Sequence, residues 1–164
     1  VEADKNRFFE EEGNEPRAEF LGNYTLAEQT DLYVTYISEG YTYTGGPHPM
    51  PWYRGITFNK KDGDIMGYNL FVEPTQLIDI VTENIKTQWF AGLENEEGYS
   101  DMNDISDTFG LPTNEPWIET DSIVFCYGPY EIAPYAAGKP LCKIAITDLK
   151  PYLNERGKTL LNNE

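Results

Sequence analysis

From Asp31 onward the chain alternates. Leu32, Val34 and Tyr36 interleave with Tyr33, Thr35 and Ile37 in a run rich in β-branched and aromatic residues. A period of two sends successive side chains to opposite faces, so this run predicts a strand that resumes after Gly40 through Tyr41, Thr42 and Tyr43. Gly40 itself predicts a bulge or bend. Residues 44–51, Thr-Gly-Gly-Pro-His-Pro-Met-Pro, break the alternation and predict a loop. Trp52 to Phe58 predicts a second strand. Asn59 to Asp64 follows as a turn, with Gly63 suited to a left-handed position, and Ile65 to Tyr68 as the return arm of a hairpin. The period then lengthens. Leu77, Val81, Ile85 and Trp89 recur every four residues behind Pro74 and Thr75, and Ile78 widens the stripe. That spacing predicts a helix over about 75–91, closing near Gly92. Glu94 to Pro116 is polar and acidic, the mark of loop or short helix, and two apolar runs follow, Ile123–Tyr127 and Leu141–Ile146. Thr147 to Leu153 predicts a last short helical turn.

Strand pairs around one helix predict an α+β fold: a mainly antiparallel sheet with the long helix packed on it and short terminal helices. Val1 to Phe20 is weakly patterned, with Phe8, Phe9 and Phe20 as its large apolar residues. Residues 1–30 therefore read as an acidic N-terminal segment, the remnant of an upstream region, and residues 31–164 as a single domain. With Val1 in first place the sequence reads as a mature or trimmed chain, so a missing targeting segment carries no conclusion. No apolar stretch approaches the roughly 20 residues that a transmembrane helix needs.

Charge narrows the choice of partners. The chain has 28 acidic residues against 12 basic ones, a formal charge of −16. Nucleic acids and anionic membrane surfaces require clustered Lys and Arg, and this chain offers the reverse. A basic protein or a cation is the better electrostatic match. The imbalance is concentrated: no Lys or Arg occurs between Lys86 and Lys139, while ten Asp and Glu fall there. A solvated acidic face and a docking surface for a cationic partner both account for it.

Candidate chemistry is sparse. His48 is the only histidine, so any triad or histidine metal site must pass through it. The two cysteines, Cys126 and Cys142, lack the Cys-x-x-Cys spacing of a zinc site. If Tyr127 pairs with Leu141, Cys126 faces Cys142, and both a cross-strand disulfide and two free, packed thiols stay open. Asp101, Asn103, Asp104, Ser106 and Asp107 are dense in oxygen but lack EF-hand spacing. No nucleophile elbow, phosphate loop or dinucleotide fingerprint is present. The reading is that the chain has no catalytic residues, metal or cofactor.

Two blocks stand out. One is Tyr43-Thr44-Gly45-Gly46-Pro47-His48-Pro49; the other is Gly128-Pro129-Tyr130-Glu131-Ile132-Ala133-Pro134-Tyr135-Ala136-Ala137-Gly138 behind the Ile123–Tyr127 run. Together they resemble the extracytoplasmic domain of unknown function shared by the anti-sigma factor RsiV and the peptidoglycan deacetylase PdaC. Pro47 stands where that family usually has alanine, and Cys126 with Gly128 departs from its Tyr-Phe-Asn-Pro-Tyr flavour. The resemblance spans about Thr35 to Leu153. It implies a non-catalytic, bacterial cell-envelope module outside the cytoplasmic membrane, recognising a basic protein such as lysozyme or a cell-wall glycan. His48, Tyr130, Glu131 and Tyr135 are then the candidate contacts. A hydrolase acting on envelope polysaccharide through acidic residues, and a structural domain without ligand, are the alternatives.

Overall fold

The computed structural model describes residues 4–7 (backbone only), 18–93 and 109–161. The Phe8–Phe9 pair and the acidic run from Asp101 to Asp107 lie outside them. Two antiparallel sheets form. The larger has the order β1 (Asp4–Arg7), β2 (Glu19–Gln29), β3 (Tyr33–Tyr43), β4 (Met50–Asn59) and β5 (Ile65–Met66). The smaller has β6 (Trp117–Glu119), β7 (Ser122–Cys126) and β8 (Leu141–Ala145). Helix α1 (Ile78–Ile85) is entered through a 3₁₀ turn, Pro74–Leu77, and continues through a π turn, Lys86–Phe90, into α2 (Ala91–Leu93). After β8 come α3 (Ile146–Leu149) and α4 (Glu155–Leu161). The fold is α+β with mostly antiparallel sheet, as the alternation and the four-residue stripe predict.

The small sheet is the middle layer. Register places Trp117 opposite Val124, and Cys126 opposite Leu141, on the face toward the large sheet. Ile118, Ile123, Phe125, Cys142 and Ile144 form the other face, buried with Leu77, Val81 and Ile85 of the helix. Burial on both faces explains why Ile123–Tyr127 is apolar throughout rather than alternating. A hydrogen-bonded circuit clips β6 to the large sheet. The Ile118 amide donates to Thr57 Oγ1 at 3.0 Å, Thr57 and Thr35 hydroxyls meet at 2.8 Å, and Thr35 Oγ1 donates to the Ile118 carbonyl at 2.8 Å. Both threonines are fully buried, so the circuit satisfies groups that would otherwise cost stability unpaired.

Four details depart from the sequence reading. Strand β2 precedes Asp31, where no strand is expected, and pairs with β3 along its length. Strand β6 extends the apolar pair to three strands. The return arm of the hairpin is only Ile65–Met66, because Tyr68–Leu70 turns into a 3₁₀ segment held by the Glu115 carboxylate on the Tyr68 amide at 2.8 Å. The helix stripe also changes phase: the π turn adds a residue to one turn, so Phe90 rather than Trp89 is buried, stacked on Phe109 at 5.5 Å.

The cysteines answer the open question. Cys126 pairs with Leu141, and Cys142 with Phe125, one residue out of the register that would align them. They therefore sit on opposite faces of the small sheet, both free and buried. Burial pushes both thiols up to about 12. A group raised this way stays neutral until pH climbs toward that value, so neither is a thiolate nucleophile near neutrality. The native protein is expected to be inert to a thiol-specific reagent near neutral pH and to react at both positions only once unfolded in urea. Rapid labelling of the native protein would contradict the buried placement.

Candidate functional site

The two blocks singled out in the sequence meet in space. His48 lies in the loop between β3 and β4, and Tyr130 and Tyr135 in the connection between β7 and β8. Tyr130 Oη is 2.9 Å from His48 Nε2, across 82 positions of sequence. The His48 ring stacks on Tyr135 with centroids 4.1 Å apart and an interplanar angle of 19°. Nδ1 of His48 lies 2.9 Å from the Pro49 carbonyl. A carbonyl only accepts, so Nδ1 carries the proton, and Nε2 accepts from the Tyr130 hydroxyl. The glycines explain how the first loop reaches this far. Gly45 and Gly46 both have positive φ, 93° and 121°, where a side chain would be strained.

The second loop opens with a turn in which the Glu131 amide donates to the Gly128 carbonyl at 3.2 Å. Pro129 occupies the position where its fixed φ helps, but Tyr130 holds φ at 65°, a place usually left to glycine. Such a backbone costs on the order of 1 kcal/mol and persists only when its surroundings enforce it. Glu131 supplies that enforcement. Its Oε2 accepts from the Gly128 amide at 2.6 Å and its Oε1 from the Thr113 amide at 2.7 Å. Of the four candidate contacts, His48, Tyr130 and Tyr135 form one aromatic cluster. Glu131 faces inward as the fastener of the turn. Tyr130 is 56% exposed and presents the edge of the cluster to solvent.

Beside the cluster a cleft of about 350 Å³ opens between the loops and the start of β4. Tyr53, Tyr127 and Tyr135 give it aromatic walls, and Asn114, Thr113 and Lys139 give it polar points. Among the described residues, none that lines it is Asp or Glu. Lys139 Nζ lies 4.2 Å from the centre of the Tyr53 ring and 3.4 Å from Glu39 Oε2. The cation is thus held over the ring at the rim. Asn114 Nδ2 donates to the Cys126 carbonyl at 3.1 Å, fixing its orientation. Tyr127 anchors the floor through a 2.8 Å bond from its hydroxyl to the Gly110 carbonyl, and burial raises its ionisation well above the ordinary phenol range. Sequence reasoning did not find this cleft. Its walls come from β4, the segment before β6 and the long loop, which share no local pattern. Among the described residues no group of three or more His, Cys, Asp or Glu is arranged to hold a metal ion.

Comparison with known proteins agrees with this architecture. No curated protein matches the chain. The fold is similar to the crystal structure of a DUF3298 family protein from Pseudomonas aeruginosa, with a TM-score of 0.63 at 19% identity over 82% of this chain. It is also similar to a member of the same family from Bacteroides fragilis, with a TM-score of 0.64 at 20% identity over 85% of this chain. The chain spans 61% and 55% of the lengths of those two proteins. Residues 68–147, which include the second loop and most of the cleft but not His48, match the family described as a protein of unknown function, DUF3298.

Proposed function

We propose that this domain is a non-catalytic recognition module of the bacterial cell envelope, acting outside the cytoplasmic membrane, and that its ligand is a basic protein of lysozyme type docking over the aromatic cluster. The observation that carries this reading is the weld of two loops by His48, Tyr130 and Tyr135 beside a preformed cleft. A surface held this firmly loses little conformational freedom when it binds, which is how rigid aromatic contacts gain affinity. The excess of 28 acidic over 12 basic residues favours a cationic partner and raises the encounter rate more than the final affinity. The hydrolase alternative needs two carboxylates facing each other in a cleft, and none of the described residues lining this one is Asp or Glu. The ligand-free structural alternative needs a buried loop, whereas Tyr130 is exposed.

Calorimetric titration with a basic lysozyme at low and high salt, with an unrelated basic protein as control, tests the proposal. Saturable binding specific to lysozyme is expected to persist at high salt and to weaken at least about tenfold in Tyr130→Ala, an exposed aromatic contact. Weak binding of both proteins that salt abolishes would reduce the acidity to a nonspecific field and overturn the reading.

A further inference from the structure

Strand β4 is paired on one side only along most of its length. It runs beside β3 from Met50, but β5 meets it at Thr57 and Phe58 alone. Successive residues of an antiparallel strand turn their main-chain groups to opposite sides. The Asn59 amide donates to the Asp64 carbonyl and the Lys60 amide to the Leu32 carbonyl, which fixes the phase. With the register to β3 unbroken, Thr57, Gly55, Tyr53 and Pro51 share the phase of Asn59 and face away from β3. Pro51, which has no N–H, thus stands where an edge strand accepts a proline. The Tyr53 carbonyl meets Cys126 Sγ at 3.7 Å, and among the described residues no strand takes up the Tyr53 amide.

This open edge is one wall of the cleft. Pro51, Trp52 and Tyr53 all line it, although neighbouring side chains of a strand point to opposite faces. The cleft therefore follows the edge of β4 rather than either face of the sheet. Lys139 is the one charged residue among those described in its lining. Its ammonium already makes two kinds of contact, with the Tyr53 ring at 4.2 Å and with the Glu39 carboxylate at 3.4 Å. That ion pair is about half exposed at both ends, 55% and 48%, so another carboxylate can replace Glu39 at little cost. Asn114 adds a donor group, of which one N–H goes to the Cys126 carbonyl. A volume of about 350 Å³ is at the small end of ligand sites, room for the end of a chain and not for a long run of it.

We infer that the cleft binds the carboxy-terminal end of an extended peptide. The terminal carboxylate pairs with Lys139, the last side chain, aromatic or branched, packs among the tyrosine rings, and the peptide main chain adds to β4 at the Tyr53 amide. Each part of the site selects this occupant. A polycation finds no carboxylate among the described lining residues. A small organic acid satisfies Lys139 but leaves the strand edge without a partner. The formal charge of −16 opposes any anion at long range, so the peptide that fits carries its carboxylate on an otherwise neutral or basic chain. Tyr130 is not part of the lining, and the inference stands apart from the protein proposed to dock over the aromatic cluster.

The test uses the whole chain and the peptide acetyl-Lys-Thr-Val-Phe with a free carboxylate, titrated by calorimetry against the same peptide ending in an amide. The amide is more positive by one charge, so the field of the protein alone favours it. The free acid is nonetheless expected to bind at least about tenfold more tightly. Lys139→Met, which keeps the stem and removes the charge, is expected to abolish that preference, and Tyr130→Ala to leave it intact. Matching circular dichroism of both variants excludes misfolding as the cause. Hydrogen exchange at the Tyr53 amide is expected to slow at least about tenfold when the free acid is added. Failure to bind, equal affinity of acid and amide, a preference that survives in Lys139→Met, or unchanged exchange at Tyr53 would each overturn the inference. So would 3-phenylpropionate binding as tightly as the peptide, because the cleft would then be a site for small acids.

Discussion

Gly55→Ala is expected to destabilise the protein by about 3 kcal/mol, an effect at the upper end for overpacking a core by a single methyl group. The added Cβ would lie 2.0 Å from Trp117 Cγ and 2.2 Å from Cδ2. These are atoms at the root and fusion of the indole, which no rotamer adjustment of a flexible tip can move aside. Trp117 is 1% exposed, edge-on to Tyr53 at 6.0 Å and packed with Val124 and Cys126, so it has nowhere to retreat. Relief must come from separating the two sheets, and that would lengthen the Thr35–Thr57–Ile118 circuit as well. Urea unfolding measures the effect as a lower midpoint at unchanged slope. Gly40→Ala is the internal comparison. Its Cβ also meets an indole, that of Trp52, but on the solvent face, where the ring has room to swing outward once its bond to Ser38 gives. It also meets the Leu21 carbonyl at 2.0 Å, a main-chain atom that no side-chain swing relieves, so a loss of comparable size is expected, taken up in the β2–β3 pairing rather than between the sheets. A double variant, Gly55→Ala with Trp117→Leu, should lose less than the sum of its parts, because the smaller side chain accepts the methyl. A Gly55→Ala protein as stable as the parent would mean that the sheets are not packed through this contact.

How much of this was legible in the chain depends on whether the cause was local. The helix was legible because Leu77, Val81 and Ile85 repeat at the spacing of a turn and all three are fully buried. Phe90 was not, because a π turn changes the period without leaving a mark in the pattern that precedes it. Strands β3 and β4 announced themselves by alternation. Strand β2 carries its apolar residues, Phe20, Tyr24 and Leu26, at the same spacing of two, but Gly22 interrupts the row where Trp52 from another strand fills the gap. The hydrophobic residue at that spot is supplied by tertiary structure, so the run looks weaker than it is. The cysteine register turned on one residue: Tyr127 donates its amide to the Pro140 carbonyl at 2.9 Å, which sets the pairing one step from the alignment that places the thiols together. The two unusual loops were visible as strings of Gly, Pro and Tyr. Their contact was not, since nothing local tells His48 that Tyr130 will be 2.9 Å away.

Glu131→Ala is expected to cost about 2–4 kcal/mol, from one inward-facing side chain on a surface loop, and to weaken ligand binding as strongly as Tyr130→Ala does. The carboxylate accepts two main-chain amides at once, Gly128 and Thr113, at 2.6 and 2.7 Å. Alanine leaves both donors without that partner and releases the turn in which Tyr130 is held at positive φ. Once the turn relaxes, the Tyr130 hydroxyl no longer meets His48, and the stack of His48 on Tyr135 loses one of its two supports. Glu131→Gln separates charge from geometry. Its single carbonyl oxygen can keep one of the two amides, while its NH₂ group faces the other donor, so an intermediate loss of stability is expected. Two readouts distinguish a fastener from a contact. Ring-to-ring nuclear Overhauser effects between His48 and Tyr130 should fade in Glu131→Ala before any ligand is added, and hydrogen exchange should quicken across Gly128–Gly138 but not in β7. If those signals persist and stability holds, Glu131 does not organise the loop. If they fade while binding is retained, the ligand does not use the His48–Tyr130–Tyr135 surface, and the recognition site must be sought on another face of the domain.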